Sequence, residues 1–445
     1  MSSIMFSILV IISTAVETWP SFLGPVPSSL RSSNLPLEWT PTDGVQWMAE
    51  VPGHGQSSPV VWGNKLFVTS VEGSQKDIYH VTCLDVRDGK KVWSHRLKNS
   101  VPVANSYYVS RAAPTPTVDA QRLVAFFESG DCVAISHDGD VLWQRDLAAD
   151  EGPFIAEFGL GASPCQTDDA IFVLLEHDGP SCLLALDKST GKSLWKTDRK
   201  STRSWSSPSI ILVEGMPQIV VSSGGGVDGY NPKSGEKLWT LEDIGGNTGC
   251  TPIDCGDGRF LVGASPGRNG ENAGSAAQSN CLVQVTNDES GYFARKLWVA
   301  EGAFPSWASP IMHGGLAYWI NRSGVVYCFD TETGEKVFTE RTKQSCWATP
   351  FAIGDRIYFF GRDGLTTVLK AGREFQTLVE NVTWDPERLP AESAMPEENS
   401  EERRQASAMF SKPTLYGYAV TSDAFFVRVG NAILCCRQKN IGSQH

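Results

Sequence analysis

The sequence predicts an all-β fold, an eight-bladed β-propeller of four-stranded antiparallel blades, and two repeated motifs support this prediction. One motif is a turn that ends in Gly and is followed four residues later by an aromatic residue, as in Gly191 and Trp195. The other is a pair of small residues before Pro. The eight prolines of this second motif are Pro59, Pro114, Pro164, Pro208, Pro252, Pro310, Pro350 and Pro413. Repeats 40 to 63 residues apart are typical of one supersecondary unit that carries loop insertions of different lengths.

Each repeat has the composition of four short strands. Residues 169–175 and 182–187, for example, are apolar runs bounded by turn residues, as expected for neighbouring buried strands. The Gly of the turn supplies the positive φ that a tight hairpin needs. A short strand after the Pro and a strand bearing the aromatic residue complete the blade.

The eighth repeat predicts how the ring closes. Three strand-like runs follow Pro413, but no Trp-bearing strand follows them. Such a strand stands instead at the other end of the chain, where Trp47 lies 12 residues before Pro59. An N-terminal strand that completes the last blade would cover both edges of an open array. We therefore expect the propeller to span residues 42–440, with a lead-in at 16–41 and an insertion at about 383–410.

The first residues predict export. Residues 4–16 form an apolar stretch that is too short to cross a bilayer and suits the core of a signal peptide, which we assign to residues 1–15. We expect an exported, periplasmic or cell-envelope protein with no integral membrane segment in its mature chain, and a monomer.

Composition excludes some partners. The chain has 38 Lys and Arg against 50 Asp and Glu, and no basic stripe, so a nucleic-acid partner is not expected. Cys250 and Cys255 have no second Cys pair or nearby His, and we predict no metal site. Six of the 11 cysteines share one place in their repeats, the strand before the Gly turn, which indicates small buried apolar residues: Cys83, Cys132, Cys182, Cys281, Cys328 and Cys435.

Residues 185–195, Ala-Leu-Asp-Lys-Ser-Thr-Gly-Lys-Ser-Leu-Trp, resemble the repeat of the pyrroloquinoline-quinone-like (PQQ-like, or quinoprotein-type) propellers. The opening Trp19-Pro-Ser-Phe-Leu-Gly-Pro25 is similar to exported members from planctomycete-type bacteria. The resemblance covers about 400 residues and implies that an aromatic ring at each outer strand docks between blades. This role would fall to Trp47, Trp93, Trp143, Trp195, Trp239, Trp298 and Phe338.

The resemblance implies two classes of function. The family contains quinoprotein dehydrogenases that oxidise alcohols or sugars with a bound quinone and calcium, and it contains non-catalytic scaffolds. We expect a non-enzymatic binding or scaffold module of the bacterial envelope, with no catalytic residue and no cofactor, whose partner is an envelope protein or a small ligand. The alternative is a PQQ- and calcium-dependent dehydrogenase. A third class, a carbohydrate-binding or hydrolytic propeller, would need two opposed carboxylates at the channel.

Cys435 and Cys436 bear on the alternative, because some family dehydrogenases place a disulfide of adjacent cysteines against the quinone. Here the pair falls in a predicted strand, whose neighbouring residues point to opposite faces. We therefore interpret the pair as strand residues.

The position three residues before each repeat Pro is the predicted site, because there the repeats differ. By resemblance it lies near the mouth of the central channel. We select Gln56, Arg111, Trp205, Trp307 and Trp347 as ligand-binding candidates that could form an aromatic, cationic funnel for a planar or anionic ligand. In the other interpretation these rings fill the channel and pack on neighbouring loops. His54, at the same face, is predicted to be a solvated loop residue.

Overall fold

The computed structural model describes residues 16–25, 34–393, 395–396, 398 and 400–438. Within these ranges the strands form eight separate antiparallel sheets, seven of four strands and one of five, which confirms the predicted all-β, eight-bladed propeller. The predicted signal peptide, residues 1–15, lies outside the described residues.

Blades 1 to 4 each run along the chain from an inner strand at the channel to an outer strand at the rim. Blade 1 has a fifth strand, β1 (Thr18–Trp19), which pairs with its inner strand. The four-stranded parts are β3 (Val60–Trp62), β4 (Lys65–Glu72), β5 (Ile78–Asp85) and β6 (Lys91–Lys98) in blade 1; β7 (Thr117–Val118), β8 (Arg122–Phe126), β9 (Asp131–Ser136) and β10 (Val141–Asp146) in blade 2; β11 (Cys165–Gln166), β12 (Ala170–Leu175), β13 (Ser181–Asp187) and β14 (Ser193–Arg199) in blade 3; and β15 (Ser209–Val213), β16 (Met216–Ser223), β17 (Gly226–Tyr230) and β18 (Lys237–Leu241) in blade 4.

Blades 5 to 7 repeat this order, and blade 8 combines both ends of the chain. Their strands are β19 (Ile253–Gly256), β20 (Arg259–Val262), β21 (Cys281–Asp288) and β22 (Gly291–Val299) in blade 5; β23 (Ile311–His313), β24 (Leu316–Ile320), β25 (Val325–Asp330) and β26 (Lys336–Arg341) in blade 6; β27 (Phe351–Ile353), β28 (Arg356–Phe360), β29 (Leu365–Lys370) and β30 (Thr377–Val382) in blade 7; and β31 (Leu415–Val420), β32 (Ala424–Val429), β33 (Ala432–Arg437) and β2 (Val45–Glu50) in blade 8.

The ring closes at blade 8. Strand β2 pairs antiparallel with β33, and Trp47 stands opposite Cys435. Cys435 and Cys436 both lie in β33 and are buried, and no disulfide forms among the 11 cysteines, all of which are described.

The core lies between neighbouring blades. All six residues of β12 are buried, because the second strand of a blade has another blade packed on each face. Such strands are continuous apolar runs without polar alternation, as in any sheet covered on both sides. The outer strand β14, by contrast, has no buried residue.

The seams between blades show what the repeated Gly and Trp do. Trp143 of blade 2 donates its indole N–H to the backbone oxygen of Lys188 in blade 3, at 2.8 Å. Its ring covers Gly191 of the same blade-3 turn, where φ is +70° and a Cβ would lie 2.6 Å from the ring. The same contact of a ring with the Gly of the next blade joins Trp47 to Gly89, Trp93 to Gly139, Trp195 to Gly235 and Trp298 to Gly334.

Trp239 departs from this pattern. Its N–H donates to Oε1 of Gln218 in its own blade, at 2.6 Å, and its ring covers Gly229 there. The reason is local: in blade 5 the outer hairpin pairs Asp288 directly with Gly291, so the usual turn is missing beneath the ring. At the next variant seam the Phe338 ring packs edge-on against Phe375 of blade 7, with centroids 5.7 Å apart.

A Trp of the lead-in occupies the seam between blades 7 and 8, where blade 7 offers no outer-strand Trp. The N–H of Trp39 donates to Oγ1 of Thr383 at 3.1 Å, and the ring lies between Tyr358 and Phe425. A Cβ on Gly44, in the turn before β2, would lie 2.6 Å from the Trp39 Cβ. Trp39 was not among the predicted docking residues, because no Gly turn precedes it.

Helices are few and short. They are α1 (Leu147–Glu151), α2 (Ala273–Ala276), a 3₁₀ turn (Pro386–Arg388) and α3 (Glu401–Ala408). The last two belong to the insertion between blades 7 and 8. Across the described part of the chain, no helix is long and apolar enough to cross a membrane.

The segment from Trp19 to Pro25 enters the central channel. Trp19 is buried and packs against Phe351 and Tyr418, with both pairs of centroids 5.9 Å apart. Together with the inner strands, the segment lines a cavity of about 500 Å³ that reaches the channel end where these strands end. The mouth, which carries the predicted site residues, is the other end, where the inner strands begin.

Candidate functional site: the channel mouth

Aromatic rings cross the mouth in one continuous series. Neighbouring centroids in this series are 4.7 to 6.2 Å apart, within the range of favourable ring contacts. In order, the rings are Trp205, Phe158, Tyr108, Phe410, Trp347 and Trp307.

Four of these rings stand three residues before a repeat Pro, namely Phe410 and the three predicted candidates Trp205, Trp307 and Trp347. The other two, Phe158 and Tyr108, come from loops between blades. Trp205 and Trp307 are 39% and 40% exposed, whereas Trp347 is only 8% exposed. Trp347 therefore packs inside the mouth, and Trp205 and Trp307 each present part of a ring to solvent. The packing interpretation therefore describes Trp347, and a ligand-binding role for Trp205 and Trp307 stays a prediction.

Arginines stack on the series. The guanidinium of Arg362 lies 4.2 Å from the centroid of Trp347, and that of Arg322 lies 5.8 Å from Trp307. Cations placed over aromatic faces are stabilised by the ring quadrupole. Similar contacts place Arg203 over Phe158 and Arg403 over Tyr108, both at 5.5 Å.

The insertion at residues 383–410 forms part of this face. Arg403, on α3, makes an ion-pair contact with Glu157 of the blade 2–3 loop at 3.5 Å. Phe410, at the end of the insertion, contacts both Tyr108 and Trp347. The insertion therefore joins loops from opposite parts of the ring.

Gln56 and Arg111 lie side by side. The Gln56 N–H donates to the Arg111 carbonyl at 3.0 Å, and the Arg111 N–H donates to Oε1 of Gln56 at 2.9 Å. Arg111 is 0% exposed, and its guanidinium lies 5.1 Å from the centroid of Tyr107. Gln56 is half-buried.

A buried group of charges surrounds Arg111. His54 Nδ1 lies 3.0 Å from Oε1 of Glu392, and Arg428 donates to the carbonyl of Gly430 at 3.1 Å. Burial, the first cause, and the charge of Arg111 together lower the pKa of Arg428 to about 9, although Glu392 acts in the opposite direction. Glu392 has a lowered pKa although burial, the largest influence, opposes this shift, because His54, Arg111 and Arg428 favour its charged form.

His54 corrects one expectation. It was predicted to be a solvated loop residue, but it is 8% exposed. Burial, with the charge of Arg111 as a second cause, lowers its pKa to about 4, so the imidazole is neutral at pH 7. Its partner Glu392 lies 338 residues away in the insertion, and no spacing in the sequence could have indicated this contact.

The channel segment reaches the mouth from below. Phe22 and Leu23 line a cavity of about 50 Å³ together with Trp307, Trp347 and Tyr416. A cleft of about 800 Å³ lies beside it, between blade 1 and the insertion, and both His54 and Glu392 line that cleft.

Comparisons with known proteins agree with this architecture. The family model described as "Outer membrane protein assembly factor BamB" matches residues 37–159 and 154–340, which together exceed half of the chain. The chain belongs to this PQQ-like repeat propeller family. Among the curated protein sequences none is similar enough to count as a match.

Solved structures of the same fold share little sequence with the chain. BamB from Moraxella catarrhalis is 14% identical with a TM-score of 0.58, over 89% of this chain and 98% of its own. The quinohemoprotein alcohol dehydrogenase ADHIIG from Pseudomonas putida HK5 is 11% identical with a TM-score of 0.55, over 96% of this chain and 81% of its own. The designed protein Ika8 is 10% identical with a TM-score of 0.55, over 87% and 98%. At such identities the likeness concerns the fold alone.

The mouth residues do not fit the calcium ion that accompanies the quinone in family dehydrogenases. Calcium takes six to eight oxygen ligands, several of them carboxylates. In the described part of the chain, no group of three or more His, Cys, Asp or Glu residues could hold a metal. The carboxylate of Glu392, beside His54, is influenced by Arg111 and Arg428, whose charges would repel a divalent cation.

Proposed function

We propose that this protein is a non-enzymatic binding module of the bacterial cell envelope, which contacts a partner protein or a small ligand through the mouth of its channel. The observation that carries the proposal is the continuous series of rings across the mouth, with Trp205 and Trp307 each about two-fifths exposed. Membership of the BamB family supports the envelope and the binding role.

The residue types of the mouth suit recognition. Trp, Tyr and Arg are the side chains that most often dominate binding energy in protein interfaces. Here the ring centroids of Trp307 and Trp347 lie 4.7 Å apart, and the guanidinium of Arg322 stacks on the exposed ring of Trp307. A surface whose rings are already held in place loses little side-chain entropy on binding.

The charge of the mouth contrasts with the charge of the chain. The whole protein carries a net charge of −12, yet Arg111, Arg322, Arg362 and Arg428 all lie at the mouth. Among the described residues, no carboxylate makes an ion pair with Arg322 or Arg362 within 4.0 Å. Complementary charge determines orientation and association rate more than affinity, so the preferred partner surface is acidic.

A double variant tests the proposal in the envelope of the native host. Trp205→Ala with Trp307→Ala removes the two exposed rings, and its matched control, Val141→Ala with Leu194→Ala, removes two exposed apolar side chains of the outer strands. We expect chemical cross-linking of whole cells to give a discrete complex with the wild type and the control. The mouth variant should lose it. A complex that both variants retain would contradict the proposal.

A second assay decides the enzymatic alternative. Purified protein is incubated with pyrroloquinoline quinone and Ca²⁺, and the reduction of an electron-acceptor dye is followed with alcohols and sugars. We expect neither quinone absorbance on the protein nor dye reduction. Reduction that depends on the quinone would overturn the non-enzymatic assignment.

A further inference from the structure

Arg111 differs from the other buried arginines of the molecule. Its side chain is 0% exposed, yet Nε, Nη1 and Nη2 make no hydrogen bond of normal geometry to any described protein group. Arg199, whose side chain is 6% exposed, donates to Glu176 and Asp228, both at 2.8 Å, and to the Ser223 hydroxyl. A buried guanidinium without acceptors costs stability, because it gives up hydration and gains little in return.

Other polar groups at the same place lack partners as well. The hydroxyl of Tyr416 and Nη2 of Arg428 are buried, and neither makes a hydrogen bond of normal geometry among the described residues. The Tyr416 hydroxyl lies close to the side chains of Arg111 and Gln56. Polar groups of Arg111, Arg428 and Tyr416 therefore converge here with incomplete hydrogen bonding.

The charges of the surrounding side chains favour an anion at this place. Arg111 and Arg428 face one carboxylate, Glu392, and His54 beside them is neutral at pH 7. Gly55 and Gly430 let two of these charged groups lie close against the backbone: a Cβ on Gly55 would collide with Nη2 of Arg428, and a Cβ on Gly430 would collide with Glu392. Tyr416 also lines the cavity of about 50 Å³ next to Trp347, which exceeds the roughly 10–15 Å³ of one water-sized probe and has room for a group of a few heavy atoms.

We propose that Arg111, with Arg428 and Tyr416, forms a binding site for a small oxyanion, a carboxylate or phosphate group, at the base of the mouth. The planar guanidinium offers paired N–H donors that match two oxygens of such a group. Trp347 and the Tyr107 ring beneath Arg111 exclude water from this interaction and strengthen it. This inference rests on the proposed binding function of the mouth, since it names the chemistry that the mouth would recognise.

The test measures thermal unfolding of the full chain while sodium phosphate, sulfate or acetate replaces sodium chloride at constant ionic strength. We expect the wild type to be stabilised in a saturable way by at least one of these anions, because a ligand that binds only the folded state raises its stability. The three anions separate a phosphate site from a carboxylate site.

Substitutions identify the residue. Arg111→Met should lose the anion effect, with affinity reduced about tenfold or more, and Arg111→Lys should retain it weakly. Without anion, Arg111→Met should unfold at the same temperature as the wild type or a higher one, since an apolar chain replaces a buried charge. The matched control Arg87→Met, at an exposed arginine paired with Asp85 in the turn between β5 and β6 and away from the mouth series, should keep the wild-type response.

Three results would overturn the inference: no saturable effect on the wild type, an equal effect on Arg111→Met, or strong destabilisation by Arg111→Met without anion. The last result would show that Arg111 supports the fold. None of them concerns the exposed rings, so the cross-linked complex of the wild type could persist and the proposed function would stand. Conversely, the cross-linked complex could turn out not to depend on Trp205 and Trp307 while the anion still binds. That result would reject the proposed function and leave the anion site standing.

Discussion

The seams and the mouth both use tryptophan, in different surroundings. At a seam, Trp143 covers a glycine, donates its N–H to the next blade and is 8% exposed. At the mouth, Trp307 packs edge-on against Trp347, lies under Arg322 and is 40% exposed. The seam residues recur from blade to blade because each solves the same packing problem. The mouth residues differ from blade to blade, which leaves them free to form one asymmetric surface.

The largest expected effect comes from truncating a seam ring. Trp143→Ala should lower the free energy of unfolding by about 3–5 kcal/mol, because it opens a cavity between two blades and removes one of the two side-chain hydrogen bonds that the Lys188 carbonyl accepts. Trp205→Ala, at the mouth, should cost less than about 1 kcal/mol. Urea denaturation measures both. Equal losses would break the distinction between seam and mouth.

Lowering the pH should weaken the contribution of the mouth to the free energy of unfolding and leave the contribution of the seams unchanged. A histidine whose folded pKa is depressed stabilises the fold above its unfolded pKa of 6.5, and this contribution is lost as the pH falls toward the folded value of about 4. The expected loss is about 3 kcal/mol for His54. Glu392, whose pKa is also lowered, adds a loss at the acid end of this range.

The groups that act on His54 are Glu392, Arg111 and Arg428. Unfolding followed from pH 7 to pH 4 should show a flatter dependence for His54→Gln than for the wild type. His313→Gln, a histidine at the opposite end of an inner strand, serves as the control and should keep the wild-type slope. An unchanged slope in His54→Gln would place the acid sensitivity elsewhere.

Glycine substitutions can separate backbone strain from ring contact. Gly191 and Gly215 have similar φ values of +70° and +78°, but only Gly191 has a Trp ring over it. Gly215→Ala should cost about 1–2 kcal/mol from the left-handed backbone alone. Gly191→Ala should cost more, by about 1 kcal/mol, since the added methyl displaces the Trp143 ring. Chemical denaturation of the pair gives the difference, and identical costs would mean that the ring is not held on the glycine.

The smallest expected effect concerns the irregular seam. Trp39→Phe keeps an aromatic ring between blades 7 and 8 but removes the N–H that donates to Thr383. We expect a loss of about 1 kcal/mol, typical of one hydrogen bond. Trp93→Phe at a regular seam removes the corresponding bond to the His137 carbonyl and should cost a similar amount. A much larger loss at Trp39 would make the lead-in the dominant element of ring closure.

The sequence predicted the blades because their signals are local. Gly191 and Trp195 belong to one hairpin, so a few consecutive residues determine both the turn and the outer strand. The position of β2 in blade 8 was predictable for the same reason, since Trp47 keeps the usual distance to the next Pro. Trp39 was missed because it does the work of an outer-strand Trp from a segment without that hairpin.

The centre of the mouth was only half predictable. Arg111 and the three tryptophans stand at a fixed place in the repeat, so their common face followed from the period. His54 and Glu392 meet through an insertion that belongs to no repeat. Whether Arg111 would be paired, as Arg199 is, depends on acceptors contributed by distant loops, and a single sequence does not specify these.

The pairing of β2 with β33 also fixes the order of events during synthesis. The strand β2 leaves the ribosome almost 400 residues before its partner β33. Entropy alone makes this join only slightly more costly than a shorter one, because the penalty grows with the logarithm of the length. The delay is the greater hazard: until β33 is synthesised, β2 has no partner strand and the faces of blades 1 and 7 that blade 8 covers stay exposed to other chains.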